Sequence, residues 1–261
     1  MDHYQDLDLV FPGGNAPNFA VHASRSGARS AFLGVVGDDP AGALLRAGLE
    51  ADGVDVSHLR TMPGPTPVVT VRQGDDAGFD CVACPRHSLP FEPSTADADY
   101  LAGFDLIHLA STSRSDPSAP LWAQRGPVSY DFAGGPGPDD ALLPLITYAA
   151  VSRPGMSEAE AEDLAVRLQR RGPRLVAVTR GAAGVTACLR GEERHQAAAA
   201  GSTLDTLGAG DALLAHLMVR LLSGDDLAAA LAAAARYAAR TCGHLGGFGR
   251  GRPAAGVIAT L

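Results

Sequence analysis

The densest chemistry in this chain lies in Asp205-Thr206-Leu207-Gly208-Ala209-Gly210-Asp211, which runs straight into the apolar, Ala-rich stretch Ala212 to Leu222. Gly208 and Gly210 bracket Ala209, and an acid stands on each side. Such a loop turns tightly and hands its backbone N–H groups to a helix N-terminus, where orphan amides and the helix dipole together attract an anion. Asp211 then falls in the first turn, beside that anion. A carboxylate next to a phosphate is repelled unless it has a task there, and the available task is to take a proton from a hydroxyl that attacks the phosphorus. The amides of Gly208, Ala209 and Gly210 would receive the charge that builds on the transferring group. The plainer alternative is an ordinary loop and helix cap, since Gly and Asp are both favoured there.

The elements that must hold this loop are visible as changes of periodicity. Phe11-Pro12-Gly13-Gly14-Asn15-Ala16-Pro17-Asn18 is a turn-rich entry to a helix predicted from about Ala16 to Ser26 and stopped by Gly27. Ala31 to Val36 reads as a buried strand. Asp39 caps, and Pro40 opens, a helix whose Leu44, Leu45 and Leu49 share one stripe and which Gly53 closes. Val68 to Arg72 and Phe79 to Ala83, joined by residues 73–78, read as a hairpin projecting from the main body, a lid over about residues 64–87. Strands then follow at Asp105 to Leu109, Val128 to Phe132, Thr147 to Val151 and Arg174 to Thr179. The helix Ser157 to Arg171 lies before the last of these and stops at Gly172-Pro173. Val185 to Leu189, with a continuation near Glu193, reads as an antiparallel pair at the sheet edge, and helices Gly210 to Leu222 and Asp226 to Cys242 close the chain. This alternation implies an α/β fold with a mostly parallel sheet covered on both faces, whose ligands lie outside the carboxyl ends of the strands.

With 261 residues, 46% of them hydrophobic, the chain reads as a single domain over residues 1–261. A formal net charge of −8, and no block of Lys or Arg, argue against a nucleic-acid partner and suit a soluble enzyme, though acidity by itself names no partner. No apolar span approaches the roughly 18 residues a membrane helix needs, and Met1 to Val10 carries no basic leader, so the expected setting is the cytoplasm, as a monomer or homodimer. Cys81, Cys84, Cys188 and Cys242 are too few and scattered for a disulfide framework. Cys81-x-x-Cys84 with His87 invites a zinc reading, but residues three apart on a strand face opposite sides. The eight histidines form no ligand-spaced pair and read as structural or solvated.

Asp-Thr-x-Gly-Ala-Gly-Asp resembles the C-terminal signature of the ribokinase-like (PfkB) sugar kinases. Phe11-Pro12-Gly13-Gly14-Asn15-Ala16-x-Asn18, with Gly34-x-Val36-Gly37-Asp38-Asp39, resembles the N-terminal signature of the same family. The resemblance covers essentially the whole chain. It implies a three-layer α/β sandwich with a small β lid, and an ATP-dependent phosphotransferase acting on a primary hydroxyl of a small-molecule sugar. Within the family, the likeness is to members that act on fructosamines; ketohexose or nucleoside kinases, or an impaired sugar-binding homologue, are the alternatives. Carried over, Asp2, Gly13, Gly14, Asn15 and Asp38 would hold the sugar, though Asn15 also suits a helix cap and Asp38 a turn. Thr179, Gly181 and Gly184, in a loop that could equally be a hairpin turn, would join Asp205 and Thr206 in binding ATP. Glu158 would steer Mg²⁺ through water, or serve as a first-turn helix acid.

Three departures from the family pattern stand out. An Asn expected three residues before Glu158 is Gly155, and His216 stands where Gly is common. The strand that normally precedes the sugar-binding Asp is missing ahead of Asp2, which implies a start that lies late or a copy that is impaired; a parallel sheet without an inner strand forgoes on the order of several kcal/mol.

Overall fold

The structure, a computed structural model, describes residues 1–74, 78–84, 89–113, 116–134 and 138–258. Along the first part of the chain come β1 (Asp2–Tyr4), β2 (Leu9–Phe11), α1 (Asn15–Arg25), β3 (Gly34–Gly37), α2 (Pro40–Ala51), β4 (Leu59–Met62), β5 (Val69–Gln73) and β6 (Phe79–Ala83). Then follow α3 (Thr95–Leu101), β7 (Ile107–Ala110), α4 (Ala119–Ala123), β8 (Val128–Asp131), β9 (Tyr148–Ser152), α5 (Glu158–Gln169), β10 (Leu175–Thr179), β11 (Val185–Leu189) and β12 (Glu192–Gln196). The chain closes through α6 (Ala209–Leu222), α7 (Leu227–Thr241) and β13 (Arg252–Pro253). Contacts divide it into two units: residues 1–92, 201–219 and 237–261, and residues 93–200 with 220–236.

In the first unit a five-stranded sheet has the order β13-β2-β1-β5-β6. The hairpin β5–β6 is therefore not a free flap, because β1 pairs in parallel with β5 and antiparallel with β2. Its connecting residues 75–77 lie outside the described residues, as do 85–88 and with them His87. Cys81 and Cys84 form a disulfide, contrary to the expectation that strand alternation would part them. The reason is local: β6 ends at Ala83, so Cys84 has left the pleat and is free of its two-residue period.

The strand expected at Ala31 to Val36 is shifted to β3, with Ala31 making only an isolated bridge to Asp55. β3 pairs in parallel with β4 and, among the described residues, with no other strand. Asp39 caps α2 as its sequence position implies: Oδ1 accepts Gly42 N–H at 2.9 Å, and Oδ2 accepts Thr66 N–H at 2.9 Å, tying the turn to the chain ahead of β5. Val10, Val21, Leu45, Leu49, Leu59 and Phe248 fill one apolar cluster of this unit, and Tyr4, Phe11, Val71 and Leu207 another.

The second unit carries the alternating pattern. Its six-stranded sheet runs β12-β11-β10-β9-β8-β7, with β7 to β10 parallel and β11 and β12 antiparallel at the edge, as the sequence predicts. Val176, Ala177 and Val178 are fully buried, in keeping with a parallel strand covered on both faces. α5 packs on β10 and β11 through Ala161, Ala165 and Leu168. A capping box starts it, Ser157 accepting Glu160 N–H while Glu160 accepts Ser157 N–H. The elements that sequence periodicity leaves out are β1, β2, β4, β13, α3 and α4; none spans more than seven residues, too short for a period to show.

Gly37 sits where the turn after β3 meets the approach to β5, and a Cβ there would stand 2.7 Å from Thr66 N. Gly37→Ala forces backbone apart and is expected to cost about 1–3 kcal/mol, the usual penalty for overpacking. Denaturant unfolding should show a lowered midpoint with an unchanged m-value; an unchanged midpoint contradicts the packing described here.

Candidate functional site

Within the first unit, two helix starts meet. α6 opens at Ala209, with Gly208 ahead of it at φ +78°, and Ala212 N–H donates to Gly208 O at 2.9 Å. Gly208 is fixed by its backbone conformation and by space, since a Cβ there would lie 2.6 Å from Gly247 Cα. Asp211 stands in the first turn and is buried. α1 opens at Asn15, with Gly14 as its N-cap at φ 112° and no side-chain cap, so Asn15 is not the cap. Its amide Nδ2 instead donates to Asp211 Oδ1 at 3.3 Å, and Asn18 Nδ2 donates to Asp211 Oδ2 at 2.8 Å. Asn15 and Asn18 lie three residues apart on one helix face, the spacing that lets both reach one carboxylate. Asn18 has no assigned role in the sequence reading, although that spacing was the available signal.

Asp205 holds the loop from behind. Its Oδ1 accepts Leu207 N–H at 2.9 Å, and its Oδ2 accepts Gly246 N–H at 2.8 Å and a short bond from the Tyr4 hydroxyl. Both oxygens are thus bonded inside the protein, and the residue is 2% exposed. Burial and Asp205 together push the Tyr4 hydroxyl far above the usual phenol range. Ala209 N–H donates to Thr206 O at 3.1 Å, so that amide, expected in the anion cradle, is already used. Gly210 keeps open space around its Cα.

Asp2, at the start of β1, lies against Gly13: a Cβ on Gly13 would stand 2.9 Å from Asp2 Cγ and closer still to Oδ2. Asp2 Oδ2 is buried without a hydrogen-bond partner. Burial raises the Asp2 carboxyl above the ordinary range; the N-terminal ammonium and a Gly14 backbone bond oppose this, and the Asp205 charge adds to it. Asp38 is exposed, and its Oδ1 accepts Gly64 N–H at 2.9 Å, the bond of a turn residue.

In the second unit, Thr179 ends β10, and residues 181–184 turn the chain into β11: Arg180 N–H donates to Gly184 O at 2.7 Å, and Gly184 N–H to Gly181 O at 3.0 Å. The loop has the geometry of a tight hairpin. Glu158, first in α5, brings Oε2 to 3.5 Å from Arg180 Nη2 and 3.3 Å from His195 Nε2. Arg180 is 6% exposed, and its Nε has no partner. Neither Arg180 nor His195 stood out in the sequence, since their meeting depends on β12 folding back along β11. Among the described residues, no group of three His, Cys, Asp or Glu side chains is placed to hold a metal ion, and no helix is long and apolar enough to cross a membrane.

These features define an α/β protein with a ribokinase-like fold. The structure matches Arabidopsis thaliana ribokinase complexed with ribose and ATP at a TM-score of 0.77 and 21% identity, over 90% of this chain and 83% of that one. The family model for pfkB family carbohydrate kinases matches residues 9–125 and 146–249, and the chain belongs to that family. It is 35% identical over 266 residues to fructosamine kinase FrlD of Bacillus subtilis (strain 168), covering 97% of this chain and 91% of the relative. It is 30% identical over 254 residues to fructoselysine 6-kinase of Escherichia coli (strain K12), covering 95% and 96%. As a member of this family, the protein is a phosphotransferase that acts on a sugar hydroxyl.

The Asp2 carboxyl gives a pH prediction. Its folded pKa lies above the unfolded one, so the ionised group costs stability at neutral pH, and the cost fades as pH falls through the folded pKa toward 3.8. Asp2→Asn is expected to melt above wild type at pH 7, with the gap closing toward pH 4. Thermal melts across that range check it, and a gap that widens on acidification has the wrong sign.

Proposed function

We propose that this kinase transfers the γ-phosphoryl group of ATP to the primary hydroxyl at carbon 6 of a fructosamine, with fructoselysine as the substrate. The observation that carries the reading is the double amide grip on Asp211, which aims a buried carboxylate at the mouth of an anion-binding helix start. The likeness to a fructosamine kinase over nearly the whole chain supports the substrate class. In this reading Asp211 takes the proton of the attacking hydroxyl, while the amides at Gly208 and Gly210 meet the charge on the transferring group. A loose phosphoryl-transfer transition state asks mainly for position and charge complementarity, which a fixed carboxylate and a helix start supply.

Asp2, Gly13, Gly14 and Asn15 hold the sugar. The buried, unpartnered Asp2 Oδ2 lacks the donor that a sugar hydroxyl would bring, and Gly13 leaves the room. Thr179, Gly181, Gly184 and Thr206 take the ATP side, while Asp205 serves that side only as the brace of its loop. Glu158, half exposed and shared with Arg180 and His195, would reach Mg²⁺ only through the ion's waters, and the ion would supply neutralisation of phosphate charge. The setting is the cytoplasm, and the acting form a monomer or homodimer.

ADP release measured with fructoselysine, fructose, ribose and adenosine tests the substrate. The highest kcat/KM is expected for fructoselysine; a higher value for free fructose overturns that assignment. Asp211→Asn should lower kcat about 10²–10⁴-fold with sugar binding retained, the range for loss of a general base. Normal turnover by that variant removes Asp211 from its role. Asp2→Asn, the more stable variant at neutral pH, should raise the sugar KM by about tenfold, the worth of one hydrogen bond to a charged group.

A further inference from the structure

His22 lies one turn beyond Asn18 on α1 and is 1% exposed. Its Nε2 lies 2.9 Å from Gly247 O, and its Nδ1 3.1 Å from the Tyr237 hydroxyl. A carbonyl oxygen only accepts, so Nε2 carries the proton and Nδ1 presents a lone pair to the Tyr237 O–H. The surroundings favour the neutral ring: burial, first, lowers His22 to about 4, with Arg25 and His244 adding to the fall against the Gly247 bond and Asp52. Tyr237 is itself held. His216 stacks on its ring at 4.5 Å and 6°, Arg240 lies 5.5 Å from the ring centre, and His22 meets it edge-on. Ser26 Oγ donates to His22 O at 2.7 Å, which leaves it to accept from His216 Nδ1 at 2.8 Å. The histidine at position 216 thus has a physical account, as the plate against which Tyr237 is set.

What this chain of contacts grips is Gly247. A Cβ on Gly247 would stand 2.5 Å from both Asn18 Nδ2 and Oδ1, and Gly208 approaches Gly247 Cα so closely that a Cβ there would be 2.6 Å away. The Gly246-Gly247 segment is therefore wedged between the amide that orients Asp211 and the turn that opens α6. Its Gly246 N–H is pinned by Asp205, and its Gly247 C=O by His22.

We propose that His22 is a positioning residue for phosphoryl transfer, its Nε2–H locking Gly247 against Asn18 and Gly208 so that the Asp211 carboxylate and the anion loop keep their mutual register. The proposal rests on the reading of Asp211 and its loop as the transfer machinery. His22 never touches substrate; it acts through Gly247. Loss of the donor frees the wedge, and both Asn18 and the α6 start can drift by about an ångström.

The test compares His22→Leu with His22→Gln in the full chain, using ATP with fructoselysine, or free fructose if that supports the higher wild-type rate, with rates normalised to folded protein by circular dichroism. The Gln side-chain amide can donate where Nε2 does, and Leu cannot. His22→Leu should lose kcat by about 30–100-fold, the scale of an ångström-sized misplacement, while the sugar KM moves less than about threefold. His22→Gln should recover kcat to within about fivefold of wild type, which a merely space-filling role would not require. Wild-type kcat in folded His22→Leu, or equal losses in the two folded variants, overturns the proposal. Should His22→Leu fail to fold, the imidazole ¹⁵N spectrum of the wild-type protein decides. A neutral Nε2–H ring that holds from pH 8 to 5.5 is expected, and a cationic ring or an Nδ1–H tautomer overturns it. Asp211→Asn separates the two ideas. If that variant turns over normally, the base reading fails, while the Leu-against-Gln contrast still reports on the anion loop that Gly247 supports.

Discussion

The grip of Asn15 and Asn18 on Asp211 is the interaction on which the rest of the first unit depends, because it joins two helix starts 193 to 196 residues apart in the chain around one carboxylate. A carboxylate at an anion-binding helix N-terminus has every electrostatic reason to swing away when a phosphate arrives. Two amide donors, one on each oxygen, oppose that swing without adding charge. The surrounding elements make the grip hold. Gly14 lets α1 start with no side-chain cap, which leaves Asn15 free to reach across, and Gly208 turns the chain so that Asp211 falls in the first turn of α6. Leu207, packed with Tyr4, Phe11 and Val71, anchors the loop to the sheet. Burial of one such side chain is worth about 1.5–3 kcal/mol, on a par with one hydrogen bond to a carboxylate in the loop.

This arrangement costs stability. Asp2 and Asp205 are both buried in one neighbourhood and interact unfavourably, and Asp2 carries an oxygen with no partner. Asp205 offsets its own desolvation by accepting from Tyr4, Leu207 and Gly246, which makes it a structural acid; Asp2 has no comparable compensation. A buried polar atom left unsatisfied costs about 1–3 kcal/mol.

The second unit solves a different problem with ordinary means. Strand β10 is apolar from Leu175 to Val178, and the loop that follows it carries glycines at 181 and 184. Arg180, Glu158 and His195 form a small polar cluster beside that loop, and it ties the start of α5 to the antiparallel edge strands. The same carboxylate that the family pattern assigns to water around a metal is thus shared with two side chains of the protein itself.

The α/β alternation, the capping of α2 by Asp39 and the presence of both signature loops were legible in the sequence, because each depends on residues close together along the chain. Strand β10, α5 and α6 fall within a residue or two of their predicted limits for that reason. The form of residues 205–211 was likewise local, a matter of glycine, helix start and acid. Tertiary structure alone decided which partners these residues meet. It spent the Ala209 amide on Thr206, turned Asp205 inward as a brace, left Asp38 on the surface and brought forward Asn18, Tyr4, His22 and Gly247. Those roles depend on contacts between segments far apart in the chain, and a side chain's partners there are set by packing and burial, which no local period or motif encodes.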